Sequence, residues 1–327
     1  LWLRPQVCCI QVFTAGVYGP LTTSETTVEA GLAGKAQLAG ASGISCAVGA
    51  YVLWGLFVVY FKSVAHVPAT EILAHRIVWA VPFCAMLLAL TGRMGNFTAL
   101  VRSPSAWRAM SLSAVLISIN WLAFVWAIAN DHVIEASLGY FINPLLSVVL
   151  GMVFLGERLR RLQWIAVALA TLGVGYMTLR EGAPLVAFTV AITFAFYGLV
   201  RKKAHPGPLA GLMFETSLLF PVALGYLGYL YFSATQQLAF VEDGPRTSVL
   251  LFAAGAITCT PLLLFAMGAK KLPLSTMAFL QFITPTIQFA FGLFYGEPFS
   301  VTRAISFALI WAGVILFVRD AARNRRK

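Results

Sequence analysis

The chain has 327 residues, of which 60% are hydrophobic and only 11% are charged. An ordinary soluble domain is about a quarter charged, so the composition excludes a soluble globular protein and indicates one that is integral to a membrane. The net charge of +11 does not indicate a nucleic-acid partner, because the basic residues lie between apolar runs and mostly on alternate sides of them.

The first 43 residues differ from the rest of the chain. They are rich in Thr, Ser, Gly and Ala and carry no segment of signal-peptide form. We expect this tail to be disordered, or to reflect a gene start placed too far upstream.

Ten apolar runs follow the tail, and each is about as long as a helix that crosses a hydrocarbon core of ~30 Å. Their polarity does not alternate from residue to residue, as it would in the strands of a membrane barrel. Only helices and closed barrels satisfy their own backbone polar groups in lipid. The sequence therefore predicts ten transmembrane helices at 44–62, 70–92, 107–129, 134–155, 162–180, 184–201, 209–232, 248–269, 275–295 and 301–319.

The Lys and Arg residues are distributed unevenly over the segments between these runs. Of the 23 such residues, 18 belong to alternate segments that begin with the N-terminal tail and end with the basic tail at 321–327; four belong to the other segments, and Arg76 alone lies well inside a run. An excess of Lys and Arg marks the cytoplasmic segments of membrane proteins. Both termini are therefore predicted to be cytoplasmic and the number of spans to be even.

The sequence contains an internal repeat. YFINPLLSVVLGMVFLGE in the fourth run aligns with QFITPTIQFAFGLFYGE in the ninth, so that Pro144 matches Pro285 and Gly151 matches Gly292. We predict two five-helix repeats at 44–181 and 182–320. An odd number of spans inverts the second repeat relative to the first, and inverted repeats allow a transporter to open a central site to one side of the membrane and then to the other.

Three stretches carry a family resemblance: ISCAVGAYVLWGLFVVYFKSVAHVPATEILAHRIVW, SLGYFINPLLSVVLGMVFLGERL and FLQFITPTIQFAFGLFYGEPFS. They resemble the EamA-type drug/metabolite transporter superfamily, and in detail its RarD branch of chloramphenicol permeases, over roughly residues 44–320. The resemblance implies ten helices in two repeats, a bacterial inner-membrane location and a central cavity for a small metabolite or drug. The long tail and a ninth span one residue shorter than its counterpart depart from the family pattern.

Three ionisable residues stand at the start of the second run, in the sequence EILAHR. Glu71 and His75 are four residues apart and share one face of a helix, while Arg76 points about 100° away. A lone charge in hydrocarbon is costly, so such groups face a cavity, pair, or lie near the interface. The alternative to a functional role is a set of interfacial charges that pair with Lys62 or with lipid phosphate.

The repeat aligns Arg76 of the second run with Glu215 of the seventh, so residues of opposite charge hold equivalent positions. We hypothesise that Glu71, His75 and Arg76 line an outer vestibule and Glu215 an inner one, with an attraction between Arg76 and Glu215 modulating closure. A histidine and a carboxylate in a low-dielectric cavity are both able to carry a proton. Protons are therefore a candidate coupling ion, and uncoupled movement down a solute gradient is the alternative.

A second polar layer is predicted near the middle of the membrane. Its members are Asn120, Tyr140, Asn143, Gln281, Thr284 and Gln288. A proline follows both Asn143 and Thr284, and a mid-span proline frees a backbone carbonyl and kinks its helix. The layer is expected either to line a cavity or to join helices by side-chain hydrogen bonds.

Aromatic residues in the same spans could form walls of a substrate site, with lipid-facing packing as the alternative for each. They are Trp54, Trp121, Trp126, Tyr197 and Phe282. Glu157 and Glu297 end their helices and are expected to cap or pair there.

The sequence lacks the motifs of an energy-converting or hydrolytic enzyme. No G-x-x-x-x-G-K-[ST] phosphate loop, no H-E-x-x-H and no G-x-S-x-G occurs, and no cofactor or metal site is expected. We predict a secondary transporter of a small organic solute, embedded in the lipid bilayer as a monomer or a dimer. An intramembrane enzyme and a passive channel remain the alternatives.

Overall fold

The structure is a computed structural model, and it describes residues 23–155, 160–204, 207–233, 238–271 and 280–323. Its described regular structure is entirely helical. Twelve helices lie in these ranges: α1 Thr23–Ser63, α2 Ala69–Leu90, α3 Met94–Val101, α4 Pro104–Ala129, α5 Val133–Leu155, α6 Arg161–Glu181, α7 Leu185–Ala204, α8 Pro208–Phe232, α9 Ala239–Glu242, α10 Gly244–Lys271, α11 Ile283–Phe294 and α12 Val301–Arg323.

The predicted apolar runs coincide with the long helices. Seven helical segments within the described ranges are long and apolar enough to cross a membrane, namely Gly43–Ser63, Ala69–Leu90, Pro104–Ala129, Val133–Phe154, Arg161–Glu181, Pro208–Phe232 and Gly244–Phe265. Three shorter apolar helices occupy the other predicted runs, at Leu185–Arg201, Ile283–Phe294 and Val301–Phe317. The predicted class, an all-helical membrane protein, is confirmed, and the count of ten spans stays a prediction.

The chain divides into two compact units, residues 1–41 and residues 42–327. The described part of the first unit, residues 23–41, is helical and belongs to α1, whereas the sequence led us to expect disorder there. Its Ala and Leu content favours a helix, which the count of Gly, Ser and Thr obscured. Residues 1–22 of the tail lie outside the described residues.

Helices at equivalent positions of the two predicted repeats pack against each other: α2 against α8, α5 against α11, and α6 against α12. The hydroxyl oxygens of Thr70, near the start of α2, and Tyr226, near the end of α8, are 2.8 Å apart. These two helices therefore run antiparallel, as an inverted repeat requires. The division into two inverted repeats itself stays a prediction.

Small residues let neighbouring helices approach closely. A Cβ atom added at Gly255 in α10 would lie 2.3 Å from the carbonyl oxygen of Trp79 in α2. A side chain at this position would collide with backbone, so only glycine permits the contact. Small residues at helix interfaces have this role in membrane proteins, where van der Waals packing holds the helices together.

Glu297, which follows α11, caps a different helix and is buried, whereas the sequence led us to expect it to cap or pair at the surface, at the end of its own helix. Its two carboxylate oxygens accept hydrogen bonds from the backbone N–H groups of Val133 and Ile134, in the first turn of α5. The first N–H groups of a helix have no partner within the helix, and the helix dipole favours a negative charge there. Burial raises the pKa of Glu297, and the two N–H donors act in the opposite direction. Glu157, its predicted counterpart, lies outside the described residues.

Candidate functional site

The first part of the candidate site is a buried carboxylate and imidazole near the start of α2. Glu71 and His75 are both almost fully buried, and Glu71 Oε1 lies 3.7 Å from His75 Nε2. The same oxygen accepts a hydrogen bond of 3.2 Å from the backbone N–H of Phe240. The His75 ring stacks on the Phe240 ring with centroids 4.8 Å apart, and its Nδ1 accepts a hydrogen bond from Trp79 Nε1. Because Nδ1 accepts, a neutral His75 carries its proton on Nε2, the nitrogen that faces Glu71.

The interfacial alternative named Lys62 as one partner of this cluster, and the structure gives Lys62 other partners. Lys62, its proposed partner, instead forms an ion pair with Asp131 and donates to the carbonyl of Ile128. Glu71 Oε2 and His75 Nε2 are buried without a hydrogen-bond partner. A carboxylate and an imidazole are thus held inside the bundle with unused hydrogen-bonding capacity.

Arg76 is buried on another face of α2. Its Nε donates a hydrogen bond of 2.8 Å to Thr258 Oγ1 of α10. Its guanidinium carbon lies 4.0 Å from the ring centroid of Trp121, 5.5 Å from that of Phe61 and 5.6 Å from that of Phe57. Its Nη1 has no hydrogen-bond partner, and no carboxylate in the described ranges lies within ion-pair distance of it. Arg76 is therefore a buried cation surrounded by aromatic rings, and the described residues supply it with no counter-charge.

Glu215 is buried in α8 and has its own set of partners. Its Oε1 accepts hydrogen bonds from Ser113 Oγ of α4 and, over 3.1 Å, from Arg201 Nη1 of α7; its Oε2 lies 3.5 Å from the Tyr197 hydroxyl. The structure therefore does not pair Glu215 with Arg76. Arg76 and Glu215 each contact a different set of side chains. That an attraction between them modulates closure stays a hypothesis.

The two sets of partners follow the predicted repeat. Arg76 on α2 contacts a hydroxyl of α10, and Glu215 on the equivalent helix α8 contacts a hydroxyl of α4, the equivalent of α10. The sequence reasoning missed Thr258, Ser113 and Arg201. Thr258 and Ser113 are hydroxyl residues inside the eighth and third predicted runs, and a hydroxyl inside a span could have indicated them. Arg201 ends the sixth run, and the short connection to the seventh run, which carries Glu215, could have indicated that the two residues meet.

Asn120 and Tyr140 of the second polar layer are joined to each other and to α7 by hydrogen bonds. The Asn120 amide donates to the carbonyl of Val190 and to Thr193 Oγ1, both on α7, and its Oδ1 accepts from the Tyr140 hydroxyl over 3.4 Å. The bonds of Asn120 join helices, which is one of the two alternatives that the sequence left open.

The remaining predicted residues form contacts elsewhere in the bundle. Thr284 Oγ1 donates to the carbonyl of Tyr51, over 2.8 Å, and the Trp54 ring packs against those of Tyr51 and Phe265. Asn143 accepts a hydrogen bond from Ser147, while its amide nitrogen is buried without a partner.

The last two members of the layer lie at α11 and just before it. Gln288 donates weakly to the carbonyl of Trp54 over 3.4 Å, and its Oε1 is buried without a partner. Gln281 is half-buried in the turn before α11, where its carbonyl accepts from Thr284 N.

Helices long enough to span a membrane, with charged and polar groups buried between them, define a polytopic membrane protein. The EamA-like transporter family matches residues 41–179. Protein RarD of Salmonella typhi is 44% identical over 287 residues, which are 87% of this chain and 97% of that protein. The chain belongs to the RarD branch of the EamA-like transporter family.

Other relatives agree with this assignment. Uncharacterized transporter YojE of Bacillus subtilis (strain 168) is 43% identical over 281 residues, or 84% of this chain and 93% of that protein. Chloramphenicol-sensitive protein RarD of Pseudomonas aeruginosa is 31% identical over 291 residues, or 87% and 96%. A solved structure entitled "Crystal structure of protein" is 20% identical, with a TM-score of 0.54 over 89% of this chain and 98% of that one. That last similarity concerns the fold alone.

Proposed function

We propose that the protein is a secondary transporter that moves a small organic solute across the bacterial inner membrane by alternating access. The observation that carries the proposal is the set of buried polar atoms without partners, among them Glu71 Oε2, His75 Nε2 and Arg76 Nη1. A buried polar group without a hydrogen bond costs about 1–3 kcal/mol, and more if it is charged. A solute that binds between the helices would recover part of this cost.

The packing of the helices supports the same proposal. Equivalent helices of the predicted repeats are neighbours, and α2 and α8 run antiparallel. Arg76 and Glu215 lie at equivalent positions on these two helices. A pair of related halves that exchange conformations would expose the polar groups first at one membrane face and then at the other.

Transport by the purified protein tests the proposal. Proteoliposomes loaded with a bacterial metabolite extract are diluted, and the solutes that appear outside are identified by mass spectrometry against protein-free liposomes. A carrier moves a subset of solutes unchanged, and it moves them faster when the same solute is present outside. A channel lacks this acceleration, and an enzyme alters the mass of the solute. The proposal fails if no solute crosses faster than it does in protein-free liposomes.

The driving force is tested in the same vesicles. We propose that the Glu71 and His75 pair carries the coupling proton, because both groups are buried and the imidazole Nε2 faces the carboxylate at 3.7 Å. Glu71→Gln should then abolish the response of transport to a pH gradient, measured on the solute exchange that the variant retains. Glu181→Gln, which alters a partly exposed ion pair with Arg303, is the matched control and should retain both. Transport by the unmodified protein that does not respond to a pH gradient would instead indicate uncoupled movement.

A further inference from the structure

We propose that the solute carries a carboxylate and that Arg76 binds it. This inference rests on the proposed transport function and names the chemistry of its cargo. It starts from the position of the charge, because Arg76 is the only Lys or Arg of the chain well inside a predicted span. Only 4% of its surface remains exposed.

A buried guanidinium without a counter-charge calls for an explanation. Removing a cation from water is costly, and buried charges in proteins are normally paired. In the described parts of the chain no carboxylate pairs with Arg76. Glu71 is five residues away, about 140° around α2, and its carboxylate is directed to His75 and Phe240 instead.

The contacts that Arg76 forms leave part of its guanidinium without a hydrogen-bond acceptor. The rings of Trp121, Phe61 and Phe57 approach the guanidinium carbon, and such cation–π contacts stabilise a cation without using its N–H donors. Thr258 uses the donor on Nε, and Nη1 remains without a partner. Guanidinium N–H groups form a planar fork that matches the two oxygens of a carboxylate. A ligand that approaches in the plane of the guanidinium would complete the set.

The charge around Arg76 favours a carboxylate over a phosphate, an ammonium or an amide group on the solute. One carboxylate neutralises one guanidinium, whereas a phosphate dianion would bring a second negative charge that no other basic residue well inside a predicted span would balance. An ammonium group would be repelled by Arg76, and a neutral amide would leave the buried charge unpaired.

The inference is tested by binding to the purified full-length protein in detergent, with three probes that share one ring: phenylacetate, phenylacetamide and 2-phenylethylamine. The readout is the thermal unfolding midpoint, followed by tryptophan fluorescence, at probe concentrations up to about 10 mM, since the midpoint rises once a ligand exceeds its dissociation constant. We expect phenylacetate to raise the midpoint and the other two probes not to do so. The inference is overturned if phenylacetate has no effect, or if the amide or the amine stabilises the protein as much.

Variants separate a ligand contact from a structural role. Arg76→Gln should weaken phenylacetate binding by about 10- to 150-fold, the range expected for losing a hydrogen bond to a charged group. Arg76→Lys keeps the charge and should retain part of the preference for the carboxylate. The matched control Arg303→Gln removes an arginine from a partly exposed ion pair and should bind phenylacetate as the unmodified protein does. Equal binding by Arg76→Gln and Arg303→Gln would overturn the inference.

The two proposals fail in different ways. If a neutral solute is bound and exchanged across proteoliposomes while carboxylates are not, transport stands and the carboxylate inference falls. If phenylacetate binds in an Arg76-dependent manner but no solute is exchanged in the metabolite assay, the carboxylate site stands and the transport proposal falls.

Discussion

Replacing Arg201 by Met should lower the free energy of unfolding by about 3–5 kcal/mol, the cost expected when one partner of a buried ion pair is removed. The reason is that Glu215 is fully buried and Arg201 supplies its counter-charge over 3.1 Å. At an effective dielectric constant of about 20, two unit charges at this distance attract by roughly 5 kcal/mol. Ser113 and Tyr197 remain as hydrogen-bond donors, and the Arg201 side chain is 15% exposed, so this value is an upper bound.

A double-mutant cycle measures the interaction energy between Arg201 and Glu215 directly. Arg201→Met, Glu215→Gln and the double variant are unfolded by titration with a denaturing detergent, and the double variant should be more stable than the sum of the single effects predicts. The matched control is the ion pair between Arg303 and Glu181, whose side chains are 30% and 26% exposed; a pair of this kind contributes about 1 kcal/mol or less. The reasoning is refuted if Arg201→Met costs no more than Arg303→Met.

Three further outcomes follow from the contacts between helices. Gly255→Ala should destabilise the protein, because the added Cβ would collide with the carbonyl oxygen of Trp79 in α2. Gly225→Ala should not, because its added Cβ would meet no atom within 4 Å. The thermal unfolding midpoints of the two variants test this difference. Cys84 and Cys259, whose sulfur atoms are 3.1 Å apart, should form a disulfide on treatment with a membrane-permeant thiol oxidant, which accepts the two electrons and two protons, and the disulfide is visible as a mass loss of two hydrogen atoms; persistence of both free thiols would contradict the packing of α2 on α10. Glu297→Gln should cost about 1 kcal/mol, the usual value of a lost helix cap, measured as a lower unfolding free energy.

The helical class could be predicted from the sequence because it depends on local composition. A run of about 20 apolar residues has few alternatives to a helix in a membrane, and the long helices coincide with such runs. A capping role for Glu297 was one of the two expected from its place at a helix end, but its burial was not expected. The partner helix, α5, could not be read from the chain.

The partners of the buried charges could not be predicted, because they depend on tertiary contacts. The repeat aligned Arg76 with Glu215 and suggested that opposite charges would attract. In the structure the nearest polar group of each is a hydroxyl from a neighbouring helix, Thr258 or Ser113. The partners of Arg76 and Glu215 depend on how far each side chain reaches and on how neighbouring helices are oriented. The spacing of residues along one helix predicts neither.

The role of the second polar layer illustrates the same limit. Cavity lining and helix joining require the same residue types, so the sequence left both open. Asn120 and Thr284 donate hydrogen bonds to backbone carbonyls of other helices, whereas Asn143 keeps a buried amide nitrogen without a partner. Only the positions of the neighbouring carbonyls separate these cases.

The central claim, that the polar site is reached alternately from the two sides of the membrane, is tested most directly by labelling a cysteine placed at Thr258. This residue contacts Arg76 and is 2% exposed, and Thr258→Cys is made in a chain whose native cysteines are replaced by Ala. A membrane-impermeant thiol reagent is applied to right-side-out and to inside-out vesicles. The account predicts labelling from both sides; labelling from one side only, or from neither, would contradict it.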